Sequence, residues 1–101
     1  MTTTPPDLVG RHVTVAGAAR SGVAAAELLV RVGARVTLSE HRDGFAGASD
    51  LRAMGVQLEL GGHTVDTFAS ADLIVLSPGV PPDLEAVKAA RARGVPVIAE
   101  P

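Results

Sequence analysis

Three short loops hold the residues whose types and spacing could do chemistry in this 101-residue chain. The first reads Gly17-Ala18-Ala19-Arg20-Ser21-Gly22. It keeps the first and third glycines of the G-x-G-x-x-G dinucleotide turn and has Ala19 in place of the second, the glycine that lets backbone approach a pyrophosphate closely. Ala19 therefore argues for a displaced or different anion, while the amides around Ser21 to Val23 would still make a helix N-terminus into an anion site. The plainer alternative is a tight turn in which Gly22 only lets helix and strand pack. The second loop is Glu40-His41-Arg42. An acid at the end of the second strand accepts hydrogen bonds from the ribose of NAD in dehydrogenases. Glu40 could do that, serve another nucleoside, or be a solvated acid paired loosely with Arg42. The third loop is Ser77-Pro78-Gly79-Val80. There Pro78 stops a strand and Gly79 leaves out a side chain that would fill a crevice, although the same residues serve equally as punctuation between strand and helix.

Other residue types narrow the chemistry. The chain has no cysteine, so it has no disulfide, thiolate metal site or thiol nucleophile. His12, His41 and His63 lack metal-ligand spacing, and no metal site is expected. Ser21, Ser39 and Ser77 have no obvious partnering base and no nucleophile elbow. Asp83 and Glu85 read as helix-start residues, and no G-x-x-x-x-G-K-[ST] phosphate loop occurs. No catalytic residue is expected. A net charge of −2 with two Phe, no Trp and no Tyr gives neither the electrostatic footprint nor the stacking platform of a nucleic-acid binder. No apolar run approaches the ~20 residues of a membrane span. Residues 1–7 carry neither the basic nor the apolar region of a signal peptide. They read as a flexible lead-in to one domain over residues 8–101, and the cytoplasm is the expected location.

The elements that must position these loops follow from hydrophobic pattern and punctuation. The β-branched run of residues 12–16 is a strand ending at Gly17. A helix over 21–32 follows, with Ser21 as N-cap, Gly33 after its end, and Val23, Ala24, Leu28 and Val32 on its buried face. Residues 35–39 form a second strand, 44–54 a weak Ala-rich helix, and 56–60 an alternating third strand near an edge. Residues 65–69 form a helical turn, and the continuous apolar run 73–76 is a strand covered on both faces. Asp83 caps a last helix running to Arg93, and residues 95–98 form a fifth strand that Pro96 confines to an edge. Strands alternating with helices imply right-handed crossovers and a parallel sheet. The simplest result is an α/β, Rossmann-like five-stranded sheet in the order 3-2-1-4-5 with helices on both faces. Its topological switch point lies between strands 1 and 4, where ligands of such sheets bind beyond the carboxyl ends of the strands. The three loops face that point.

Taken together, the loops resemble the N-terminal domain of the Mur ligases, and among them the branch that adds D-glutamate in peptidoglycan synthesis. The likeness is carried by residues 10–17, the Arg20-Ser21-Gly22 turn, residues 33–40, the run 71–80 through Ser77-Pro78-Gly79-Val80, and residues 94–98. It implies that the chain is the first domain of a three-domain, ATP-dependent amide-bond-forming enzyme. In that family this domain holds the uridine diphosphate end of UDP-N-acetylmuramoyl-L-alanine, while ATP, Mg2+, acyl phosphate formation and ligation belong to the central and C-terminal domains. The fragment by itself would then be inactive. By the same resemblance, Arg20 and Ser21 take positions that contact uridine and diphosphate, beside Gly22. Glu40 takes the position of the acid that holds uracil, and His41 stands where a small hydroxyl residue often follows. Arg42 matches a basic residue of the pocket, and the Ser77 to Val80 loop closes over the nucleotide. Two other readings stand beside this one: the NAD(P)-binding half of a dehydrogenase, supported by Gly17, Gly22 and Glu40, and a non-catalytic interaction module with an empty crevice.

Overall fold

The computed structural model describes residues 8–99. The lead-in expected over 1–7 and the last two residues lie outside the described range. Nine elements alternate along the described residues: β1 (His12–Ala16), α1 (Arg20–Arg31), β2 (Arg35–Glu40), α2 (Ala48–Ala53), β3 (Gln57–Leu60), α3 (Val65–Ala69), β4 (Leu73–Leu76), α4 (Glu85–Ala92) and β5 (Val97–Ala99). The strands form one parallel sheet in the order β3-β2-β1-β4-β5, as the βα alternation dictates. Its two edges are β3 and the three-residue β5.

Strand alternation sends successive side chains to opposite faces. Val13 and Val15 of β1, Val36 and Leu38 of β2, and Val75 of β4 meet Ala26 and Leu29 of α1 and Leu51 of α2 on one face. Ala16, Ile74 and Leu76 meet Phe68 of α3 and Ala86, Val87 and Ala90 of α4 on the other. Both β1 and β4 are thus covered twice, which is why β4 reads as a continuous apolar run and β1 departs from one inside the sheet only at Thr14. Thr14 points to the α3 side, where its hydroxyl donates to the Thr67 carbonyl at 3.0 Å. Among the described residues no helix is long and apolar enough to cross a membrane.

Several local expectations are corrected. Ser21 is not the N-cap of α1: Ala19 holds that place in an extended conformation, and no side chain caps the helix. The buried face of α1 is Gly22, Ala26 and Leu29, whereas Ala24 is exposed and Leu28 is 59% exposed. The reason is steric. A Cβ at position 22 would overlap the Gly17 carbonyl and the Ser77 hydroxyl, so the one residue without a side chain must face inward and turns the helix with it. The second helix is shorter than expected because Gly47, at φ +94°, holds the backbone in the left-handed region just before Ala48. Asp83 does not cap α4. A turn closed by the Leu84 amide on the Pro81 carbonyl precedes the helix and leaves Leu84 at its N-cap. The fifth strand begins two residues late, its pairing opened by the Pro96 carbonyl, which accepts from Ile74.

Candidate functional site

At the switch point the ends of β1 and β4 part to opposite faces, and their loops meet across the gap. The Ser77 amide extends the ladder onto the Ala16 carbonyl at 2.9 Å, and the buried Ser77 hydroxyl donates to the Gly17 carbonyl at 2.9 Å. A Cβ on Gly17, which sits at φ +95°, would lie 2.7 Å from Val80 Cγ2. Gly22 rests on both partners from below. The first and third glycines of the turn are therefore demanded by close approach between the loops. The second position is different: Ala19 is exposed, at φ −67° and ψ 171°, a conformation any residue adopts.

Above this junction lies a cleft of about 390 Å³, framed by Gly17 and Ala19 on one side, Ser77, Gly79 and Val80 on another, and Glu40 with His63 at its inner wall. Pro78, His41 and Arg42 complete the rim. A contiguous cleft of similar volume opens past Ala19 toward Arg20, Val23 and Phe45, with Arg42 common to both. The structure so brings Glu40, His41, Arg42 and the Ser77 to Val80 loop to one cleft and sets Arg20 on its neighbour. Gly22 lies beneath, and Ser21 lines neither. Another cleft, about 250 Å³, sits at the opposite end of the strands beside His12, Arg35 and Gln57. Gly79 is at φ +92° with nothing within 4 Å of an added Cβ. The turn conformation, not space, is what demands glycine there.

The electrostatics centre on Glu40, which is 3% exposed and anything but a solvated acid. Its Oε1 accepts from the Ala18 amide at 2.8 Å. Its Oε2 accepts from the Arg42 amide at 3.0 Å and from Arg42 Nε at 2.7 Å, with His41 Nδ1 at 3.2 Å. Burial alone would raise this carboxyl. The Arg42 guanidinium bond, the two backbone amides and the Arg42 charge together outweigh it and bring the pKa down from 4.5 to about 2. Glu40 thus clips the end of β2 to the first loop and orients Arg42, whose own pKa is raised by that bond. The α1 N-terminus beside it has no side-chain cap and no acid in its first turn, which leaves its backbone amides and dipole for an anion.

A second polar cluster was not legible in the sequence. Ser39, fully buried, donates to Glu59 Oε1 at 2.6 Å and lies 2.6 Å from His63 Nδ1. Glu59 also accepts from the Thr64 amide and from the Thr64 and Thr67 hydroxyls. Burial works to raise the Glu59 carboxyl, and these four donors bring it below its ordinary value. For His63 burial lowers the pKa, helped by His41 and opposed by the charges of Glu59 and Glu40. The Ser39 to Glu59 link depends on the parallel register of β2 and β3, which pairs those two residues directly. Only the Ser and His types at strand and turn ends hinted at it. Among the described residues, no group of three or more His, Cys, Asp or Glu could hold a metal ion.

Comparison with known proteins adds a family signal. A family model described as the N-terminal domain of MurD-like Mur ligases matches residues 11–99. A UDP-N-acetylmuramoylalanine–D-glutamate ligase of Anaeromyxobacter dehalogenans is 50% identical over 97 residues, covering 94% of this chain and 21% of that protein. The chain spans about a fifth of the length of the curated relatives it matches. Among solved structures, the UDP-N-acetylmuramate-alanine ligase MurC of Thermotoga maritima superposes with a TM-score of 0.76 at 22% identity, over 88% of this chain and 20% of that one. The NADP complex of NmrA, a negative transcriptional regulator, superposes with a TM-score of 0.69 at 20% identity, over 89% and 33%. At these identities the structures speak to the fold alone, and that fold serves a ligase and an NADP-bound regulator alike.

Proposed function

The chain belongs to the MurD-like N-terminal domains of the Mur ligases, and from that premise we propose that it binds the uridine diphosphate end of UDP-N-acetylmuramoyl-L-alanine for a cytoplasmic ligase that adds D-glutamate in peptidoglycan synthesis. The observation that carries this reading is the junction of the Gly17 and Ser77 loops. It leaves a cleft of about 390 Å³ beside an α1 N-terminus with no side-chain cap. Backbone amides at that terminus suit a diphosphate, and Arg42, aimed by Glu40, together with Arg20 on the adjoining cleft adds positive charge. Ser21 adds a hydroxyl in the first turn of the helix, and the Ser77 to Val80 loop forms the far wall.

Activity would come from the rest of a longer chain. This sequence has no phosphate loop, and its described residues offer no metal cluster, so we assign ATP and magnesium to the central domain of the ligase and expect the fragment alone to form no amide bond. The competing reading, an NAD(P)-binding half-domain, draws on Gly17, Gly22 and the NADP-bound neighbour. Against it stands Ala19 at the place of closest pyrophosphate approach.

Thermal shift and calorimetric titration of the chain with UDP, UDP-N-acetylmuramoyl-L-alanine and NADH separate the two. The uridine ligands are expected to bind and to raise the melting temperature; at 100-fold over the dissociation constant the gain is ~2.7 kcal/mol. A response to NADH with none to uridine nucleotides assigns the cleft to the dinucleotide. No response to any of them leaves an interaction module.

A further inference from the structure

At the inner wall of the cleft, His63 has a ring nitrogen whose hydrogen-bonding role is set from behind. The Ser39 hydroxyl has a single proton, and at 2.6 Å it faces Glu59 Oε1, an oxygen of a carboxylate that three other donors also hold ionised. The Gly62 carbonyl, at 3.3 Å, is the longer alternative for that proton. With its proton turned to an acceptor, Ser39 Oγ meets His63 Nδ1 at 2.6 Å as an acceptor itself, so the imidazole proton sits on Nδ1. Nε2 is left with a lone pair, and no described residue bonds to it. The ring lines the cleft, and Phe68 braces it edge-on, with centroids 5.7 Å apart and planes at 82°.

Glu40, the acid that the resemblance casts as the nucleoside acceptor, is occupied. One oxygen holds Ala18 and the other holds Arg42, and the residue is 3% exposed. The inner wall therefore has its open acceptor at His63.

We infer that His63 is a ligand-recognising residue whose Nε2 accepts a hydrogen bond from the nucleoside of the bound nucleotide, an imide N–H of the base or a hydroxyl of the ribose, with Ser39 and Glu59 as the positioning residues that fix its tautomer. This rests on the uridine nucleotide reading of the cleft. The arrangement is selective by sign: it rewards a ligand that brings a hydrogen to this point and rejects one that brings only lone pairs. It also ties recognition to protonation. His63 faces Glu59 from β3, Glu40 from the end of β2 and His41, whose ring centroid is 6.5 Å away. Burial keeps it neutral at pH 7, and protonation at lower pH removes the acceptor.

The test titrates the chain and its His63→Leu variant with UDP, 3-methyl-UDP and 2′-deoxy-UDP, and reads the tautomer of the unliganded protein from long-range proton–nitrogen NMR correlations. The proton is expected on Nδ1. His63→Leu should bind UDP roughly tenfold more weakly, the size of one hydrogen bond. The parent should lose a similar factor toward one of the two altered nucleotides, and the variant should not distinguish that one from UDP. A drop with 3-methyl-UDP assigns the donor to the base, and a drop with 2′-deoxy-UDP assigns it to the ribose. Equal UDP affinity in parent and variant overturns the inference while leaving the uridine reading intact. So does a variant that binds more weakly yet keeps the parent's discrimination, or a spectrum with the proton on Nε2. Absence of any uridine nucleotide binding by the parent overturns both.

Discussion

Glu40 shows how a residue found for one reason serves another. Its place at the end of β2 was legible because parallel βα units put that position at the switch-point crevice. Its partners were not, because the Ala18 amide reaches it only once β1 and β2 are paired. The carboxyl is held at about 2, below its ordinary 4.5, so ionised Glu40 stabilises the fold fully above the unfolded value. That contribution is lost as pH falls from about 4.5 through about 2. At ~1.36 kcal/mol per unit it amounts to about 3 kcal/mol. Glu40→Gln should accordingly cost stability at pH 7, narrowing toward no difference near pH 2, as measured by urea denaturation across that range. A difference independent of pH assigns the effect to packing instead of charge. His63 was weighed only as a metal ligand, and its place at the cleft was hidden for the same physical reason as the Ala18 contact: Ser39 and Glu59 become neighbours only through strand register. A single histidine in a Gly-rich turn carries no local mark of it.

At the scale of elements, the strands were legible and the helix faces were not. A short apolar run such as residues 73–76, stopped by Ser77-Pro78-Gly79, reads as a strand covered twice, and Pro96 marks an edge because it has no amide to give. Helix α1, by contrast, has apolar residues nearly all round, Val23 and Leu28 included. Which of them faces inward is decided by the contact of Gly22 with the Gly17 carbonyl, a tertiary fact. The caps failed similarly: Ser21 and Asp83 have the right chemistry, but a turn already set by Ala19 in one case and by Pro81 to Leu84 in the other shifts the helix start. The one-turn helix α3 is too short to hold itself. Its anchor is Phe68, fully buried against β4 and α4, and its cap is Thr64, whose hydroxyl accepts from the Thr67 amide. Phe68→Ala should cost ~3–5 kcal/mol of global stability, and Thr64→Ala nearer ~1 kcal/mol, in chemical denaturation. If Phe68→Ala cost no more than the cap variant, α3 would be an appendage instead of part of the second core.

For the whole molecule, two glycine roles divide cleanly, and the division can be measured. Gly22→Ala forces a methyl into the Gly17 carbonyl and the Ser77 hydroxyl, an overpacking worth ~1–3 kcal/mol or more. Gly79→Ala meets no atom within 4 Å and suffers only the left-handed backbone, about 1 kcal/mol. Melting temperatures should therefore fall further for the first than for the second. The reverse order places the tight contact at the Ser77 to Val80 loop. The architecture itself followed from sequence because five strands and right-handed crossovers leave few alternatives. What the chain supplies is about a fifth of its curated relatives.

The Ser77 hydroxyl on the Gly17 carbonyl has a mechanical outcome. It rivets together two stretches of chain that lie sixty positions apart, so the inner frame of the cleft behaves as one stiff piece. Adjustment to an incoming molecule then falls to side chains standing on the rim, of which the His41 ring, 76% exposed, is the clearest example.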